Sequence, residues 1–201
     1  MRIFNLFFKS IFDFSTAFFL TFLFALPLFV IAIIILFYDK GPIFFIQERA
    51  GLNGKSIKVF KFKTLIEKKD KKEKVASNLG KFLRLTRLDE LPQVLNVLLG
   101  DLSFVGPRPL YLKYNRLYNK EQKQRLKMKP GITGWAQING DNNISWEKKF
   151  KLDIWYIQNF NFLLDMKIIF LTIIFFINSM FYYKKNKNNK VVIDKEFDGK
   201  N

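Results

Sequence analysis

The residues most able to do chemistry lie in Arg84-Leu-Thr-Arg87-Leu-Asp89-Glu90-Leu-Pro92-Gln93 and, further on, in Gly106-Pro107-Arg108-Pro109. The first stretch sets two guanidiniums just ahead of two adjacent carboxylates. The second presents another guanidinium from a rigid turn. Arginine meets phosphate oxygens through a two-pronged fork, so the two stretches read as a phosphate site beside an acidic pair. The chain has no His and no Cys. That removes Ser-His-Asp triads, thiol nucleophiles and His- or Cys-ligated metals. Catalysis must then rest on carboxylates, Lys, Arg, Tyr, Ser or Thr, and any metal is a hard cation held by oxygen, magnesium foremost. Cations that neutralise phosphate beside a carboxylate pair suit phosphoryl transfer. No Walker A pattern and no Gly-rich dinucleotide fingerprint is present, which sets aside ordinary kinases and dehydrogenases. A plainer reading makes Asp89 a helix N-cap and Glu90 a favourable first-turn acid.

Those residues need elements to hold them. Leu79 to Leu88 and Leu91 to Leu99 have helical apolar spacing, with Pro92 acceptable near a helix start. Gly41 to Phe62 carries Gly-Pro and Asn-Gly turn signals around alternating apolar and polar residues and reads as a hairpin of two short strands. Lys129-Pro130-Gly131 and Gly134 mark a tight turn, and Trp146 to Phe160 reads as an amphipathic helix. The charged run Glu67 to Lys74 reads either as a solvated loop or as a lid that attracts phosphate. Trp135 and Trp146 are either packing residues or the lining of a sugar site.

At the scale of the chain, 34 Lys and Arg stand against 17 Asp and Glu, a net charge of +17. The apolar residues, among them many of the 25 Phe, crowd into Ile3 to Phe37 and Phe160 to Tyr183, and the cations crowd between and after them. That segregation describes a basic protein associated with a membrane, and gives a nucleic-acid binder no reason for its apolar blocks. Phe14 to Tyr38 has no ionised residue and would run about 37 Å as a helix, enough to cross a ~30 Å hydrocarbon core. Pro27 favours a break, however, and Arg2 and Lys9 before the block match Lys40 and Arg49 after it. A helix that enters, breaks near Pro27 and returns keeps both basic flanks on one face. Ile168 to Tyr183 would run about 24 Å, short of a comfortable span, and reads as an interfacial helix.

Three blocks, GPIFFIQERAGLNGKSIKVFKFKTL, LTRLDELPQVLNVLLGDLSFVGPRPL and KPGITGWAQINGDNNISWEKKF, closely resemble the bacterial sugar transferase family, the monotopic phosphoglycosyl transferases. In length and order the chain is similar to the smallest members, of the Campylobacter N-glycosylation type. The resemblance implies transfer of a sugar 1-phosphate from a UDP-sugar to undecaprenyl phosphate at the cytoplasmic face of a bacterial inner membrane, among its lipids and with magnesium. It also implies a re-entrant membrane helix. By the same resemblance Asp89 matches the nucleophile that takes the sugar phosphate covalently and touches the metal, and Glu90 its partner. Arg84 and Arg108 match phosphate-contacting arginines, and Lys63, Thr64 and Gln137 fall in motif blocks. Two positions depart from the pattern: Leu26-Pro27 replaces the common Ser-Pro, and Asp141 stands where an Arg is usual.

The expected fold is α+β and mostly helical: a re-entrant helix over 1–40, a catalytic part over 41–167 with a small hairpin and amphipathic helices on the membrane surface, and an apolar interfacial helix with a basic tail over 168–201. The expected partners are a UDP-sugar, undecaprenyl phosphate and membrane lipid, with no nucleic acid. A catalytically silent scaffold that recruits downstream glycosyltransferases is the alternative that Asp141 raises.

Overall fold

The computed structural model describes residues 2–67, 74–140, 143–185 and 196–199. The chain is mostly helical, with three two-stranded sheets among the described residues. It begins with helix α1 (Arg2–Leu23) and helix α2 (Ala25–Tyr38), separated at Phe24. The break lies three residues before Pro27 for a simple reason. Proline has no N–H to give the carbonyl four residues back, so the ladder that runs from Phe24 N–H to Leu20 resumes with Leu28 N–H on Phe24, and Leu23 is left without its helical donor.

Both helices lean on the rest of the molecule. On α1 the buried Ala17, with Leu20 beside it, packs against Val94, Val97 and Leu102. On α2, Leu28, Ile31, Ala32 and the buried Ile35 pack against Phe62 and Leu83. Lys9 and Asp13, which interrupt the apolar block, are buried where they touch protein. Lys9 pairs with Asp165, whose other oxygen accepts from the Tyr156 hydroxyl at 2.6 Å, and Asp13 accepts the Phe104 N–H at 3.2 Å. The opposite faces, including Phe7, Phe14, Phe18, Phe22, Phe29 and Phe37, are exposed.

Strands β1 (Phe44–Ala50) and β2 (Ser56–Phe62) form the expected hairpin, in register from Phe44 opposite Phe62 to Ala50 opposite Ser56. Asn53 and Gly54 take positive φ at its turn, as Asn-Gly pairs do. Strands β3 (Leu65–Glu67) and β4 (Lys74–Ala76) are antiparallel and bracket the charged run, whose residues 68–73 lie outside the described ones. Helix α3 (Asn78–Leu85) starts on Ser77, whose hydroxyl accepts the Gly80 N–H, and ends three residues before the expected Leu88 because Arg87 turns left-handed at φ 55°. Helix α4 (Gln93–Leu98) follows Pro92.

A tight turn was the expectation at residues 129–134; instead Gly131–Thr133 is strand β6, parallel to β5 (Ser103–Val105). Glycine explains the pairing. A Cβ at Gly131 would lie 2.1 Å from the Gly106 nitrogen, and one at Gly106 would lie 2.4 Å from the Lys129 oxygen. Only bare backbone lets the two segments approach this closely. Helix α5 (Trp135–Ile138) and helix α6 (Trp146–Gln158, capped by the Ser145 hydroxyl) lead into helix α7 (Phe162–Lys185). α7 is one continuous helix through Asp165 and Lys167, longer than the apolar stretch from Ile168 alone, because Asp165 is neutralised by Lys9 and held by Tyr156.

Candidate active site

Asp89 and Glu90 sit in a one-turn 3-10 segment, Leu88–Glu90, between α3 and α4. Its left-handed Arg87 and the following Pro92 keep the segment from joining either helix, which turns both carboxyls inward. Each residue is 8% exposed. Glu90 Oε1 accepts from Lys61 Nζ at 2.6 Å and lies 3.4 Å from Arg108 Nη2. Asp89 Oδ1 is buried with no hydrogen-bond partner. It caps nothing: the residue at the start of α4 is Pro92, and no side chain caps that helix. The N-cap reading of Asp89 therefore gives way to a buried carboxyl with one oxygen left unsatisfied, a costly arrangement of the kind active sites retain.

The electrostatics of the pair are lopsided. Burial, and then the neighbouring Glu90, push the Asp89 carboxyl up to about 6, against the pull of Lys61, Arg84 and Arg87. Burial also raises Glu90, but Lys61, Arg108 and Arg87 outweigh it and hold that carboxyl below its ordinary value. Glu90 is thus the fixed anion, and Asp89 the one whose charge depends on what comes near.

Lys61 was not among the residues singled out from the sequence. It lies two residues before Lys63 on the same strand-face alternation, and its ammonium is the one that reaches Glu90. The Lys63 ammonium lies against Gly41 at the end of the hairpin, and Thr64 is buried with its carbonyl packed on Gly80. β2, which carries Lys61, is fixed by the fully buried Asn96 of α4. The Asn96 side chain accepts the Phe60 N–H at 2.9 Å and donates to the Lys58 carbonyl at 2.7 Å. One amide thus behaves as a strand partner along the edge of β2 and locks the strand to the helix after the dyad.

Arg108 is placed by the close glycine packing of β5 on β6 and by Arg125, which donates to the Arg108 carbonyl at 2.7 Å. Arg125 is itself buried and paired with Asp153 at 2.9 Å. Arg108 separates two cavities. One is bounded by Lys61, Glu90, Gln93, Arg49 and Ile132; the other by Gln137, Trp146, Lys149, Phe150 and Leu110. Gln137 donates to the Ile132 carbonyl at 2.9 Å, and its Oε1 is buried without a partner. Trp146 therefore lines the second cavity, whereas Trp135 stacks on Trp155 with ring centres 5.0 Å apart. Asp141 lies outside the described residues.

The geometry brings Asp89, Glu90 and Arg108 together with Lys61, and sets Arg84 and Arg87 close enough to bias Asp89. An acidic pair thus stands among cations, with Glu90 on the wall of one of two cavities that share Arg108.

Known proteins are similar to this chain in sequence. A Bacillus subtilis (strain 168) protein named "Uncharacterized sugar transferase EpsL" is 49% identical over 172 residues, 82% of this chain and 85% of its own length. The UDP-glucose:undecaprenyl-phosphate glucose-1-phosphate transferase of Klebsiella pneumoniae is 43% identical over 84% of this chain, and that of Escherichia coli (strain K12) is 42% identical over 71%. This chain spans 40% and 34% of the length of those two relatives. The family described as "Bacterial sugar transferase" matches residues 4–179, which take in both helices of the apolar block, the dyad and Arg108, and the chain belongs to that family.

Proposed function

We propose that the chain is a phosphoglycosyl transferase that moves a sugar 1-phosphate from a UDP-sugar to undecaprenyl phosphate, with Asp89 as a covalent nucleophile. The observation that carries this reading is the buried, unpartnered Asp89 Oδ1 beside a Glu90 already held by Lys61 and Arg108. The activities for which the longer relatives are named suggest the substrate class.

In the first step an Asp89 oxygen attacks the phosphorus that bears the sugar. The bond from that phosphorus to the bridging oxygen breaks, and UMP leaves with the electron pair. Arg84, Arg87 and Arg108 offset the charge of the diphosphate, and Lys61, Arg84 and Arg87 favour the ionised form of Asp89. In the second step a phosphate oxygen of undecaprenyl phosphate attacks the same phosphorus and the Asp89 carboxylate departs, so the enzyme is regenerated.

Asp89 Oδ1 is also the hard oxygen a magnesium ion would take, the substrate phosphates and water completing its shell. Among the described residues no group of three or more acidic side chains offers a self-sufficient metal site. When bound, the ion would neutralise phosphoryl oxygens.

The same reading places the protein on the cytoplasmic face of the bacterial inner membrane, with α1 and α2 as a re-entrant helix. Its support is that both helices pack against the part of the molecule that bears the dyad.

The test is Asp89→Asn, which keeps the size of the side chain. The wild type should release UMP from a UDP-sugar with ping-pong kinetics and give a sugar-phosphate adduct on intact-protein mass spectrometry. The variant should fold, yet show neither UMP release nor adduct. Near-normal turnover in a folded variant would falsify the covalent route.

A further inference from the structure

The last described segment, residues 196–199, returns to the globular part and seats Phe197 in an aromatic cup. Phe197 is 3% exposed, with its ring centre 5.0 Å from that of Phe150 and 5.6 Å from those of Tyr114 and Trp146. Its N–H donates to the Tyr114 hydroxyl at 3.1 Å, and the preceding Glu196 pairs with Lys113 at 2.8 Å. Sequence reading gave this region only as a basic tail. Phe197 is the one aromatic residue after Tyr183.

What Phe197 packs on makes the contact consequential. Leu110, Trp146 and Phe150 belong to the same buried cluster as Phe197, and all three also line the cavity beside Arg108 and Gln137. Phe197 therefore supports from behind the side chains that form one wall of that cavity. Asp89 is not part of the cavity lining.

We infer that the C-terminal tail is a positioning element of the substrate site: Phe197 holds Trp146 and Phe150 in place, so that the cavity next to Arg108 is formed before the nucleotide sugar arrives. This rests on the phosphoglycosyl transfer reading above. Protein interiors are close-packed, so removing the Phe197 ring leaves a ring-sized space into which its neighbours relax. A wall that has relaxed must be re-formed at the expense of binding. Because the dyad lies outside that wall, the loss falls on affinity rather than on the chemical step.

The experiment compares wild type, Phe197→Ala, Phe197→Leu and Tyr114→Phe in detergent, measuring UMP binding by calorimetry, and KM for UDP-sugar and kcat by UMP release. Phe197→Ala should weaken UMP binding and raise KM about tenfold, with kcat held within about twofold. Phe197→Leu refills most of the space and should recover most of the affinity. Tyr114→Phe keeps every ring and removes only the acceptor of the Phe197 N–H. It should shift KM the same way by about threefold, and it decides the matter if Phe197→Ala does not fold. UMP affinity unchanged in Phe197→Ala, a fall in kcat at constant KM, or a rise in activity on losing the tail contact would overturn the proposal. So would an unchanged KM in a Tyr114→Phe protein when Phe197→Ala is unfolded. If the wild type itself binds no UMP and releases none, it is the phosphoglycosyl reading that fails, and the role of the tail with it.

Discussion

Asp89 and Glu90 are chain neighbours, both nearly buried, and two carboxylates so placed do not ionise independently. The hydrogen bond from Lys61 assigns the charge to Glu90, which leaves Asp89 raised from 3.8 to about 6. Between those values the folded protein binds more protons than the unfolded chain, so this group costs stability as pH rises through the window, and the cost is complete above pH 6. Asp89→Asn should accordingly be no less stable than wild type at pH 7.5, even though it is inactive. For catalysis the sign is opposite, because the nucleophile must be the carboxylate. The expected profile of kcat/KM is a plateau above about pH 6 and a tenfold fall per unit below it. Lys61→Met takes away a cation that lowers both carboxyls, so the midpoint should move to higher pH. A profile flat from pH 8 to 5 would remove Asp89 from the chemical step. Asp89, Glu90, Arg84 and Arg108 could be singled out from sequence because residue type and local spacing carry their chemistry. Lys61 could not, since in a chain this rich in lysine only the fold shows which ammonium meets Glu90.

Among the elements, what could be read from sequence follows the range of the signal. The β1–β2 hairpin is encoded within twenty residues by alternation and an Asn-Gly turn, and its place was readable. Strands β5 and β6 are three residues each and lie far apart along the chain, too short for any period to show. Their pairing is written instead in the glycines at 106 and 131, whose meaning emerges only once the segments touch. The helix break was read from Pro27, but its place, Phe24, follows from the hydrogen bond that proline cannot give. Asn96 is the clearest case of an element-scale residue. Its side chain satisfies two backbone groups of β2, and Asn96→Ala would leave both part-buried groups without that partner, a cost of about 1–3 kcal/mol. Chemical denaturation in detergent should show that loss, and Asn96→Asp should not repair it, because a carboxylate offers no hydrogen to the Lys58 carbonyl. Wild-type stability in Asn96→Ala would mean that β2 is held by β1 alone.

For the whole molecule the question is how α1 and α2 meet a membrane. Helix Phe4–Leu23 is long and apolar enough to cross one by length and composition. At 1.5 Å per residue, however, α1 and α2 together come to about 54 Å, well over a ~30 Å hydrocarbon core, and α2 alone to about 21 Å, short of it. One straight crossing is therefore too short to use both helices, and two full crossings are too long for α2. A crossing by α1 alone, about 33 Å long, fits the core by length, and it is the packing that favours the re-entrant reading proposed above. α1 is bound along one face to α4 through Ala17, to β5 through Asp13 and to α7 through Lys9, so threading it through the bilayer would take Lys9, Asp13 and the polar backbone of β5 with it. In the re-entrant reading proposed above, a broken helix that dips into one leaflet and returns would leave its exposed phenylalanines in lipid and its protein-facing stripe intact. The chain has no cysteine, so Arg2→Cys at the start of α1 and Lys120→Cys on the exposed surface of the globular part can be read one at a time. In intact bacterial cells an impermeant maleimide should label neither, and after the cells are opened it should label both. Labelling of Arg2→Cys but not Lys120→Cys from outside would place the two on opposite sides of the membrane and replace the re-entrant helix with a true span.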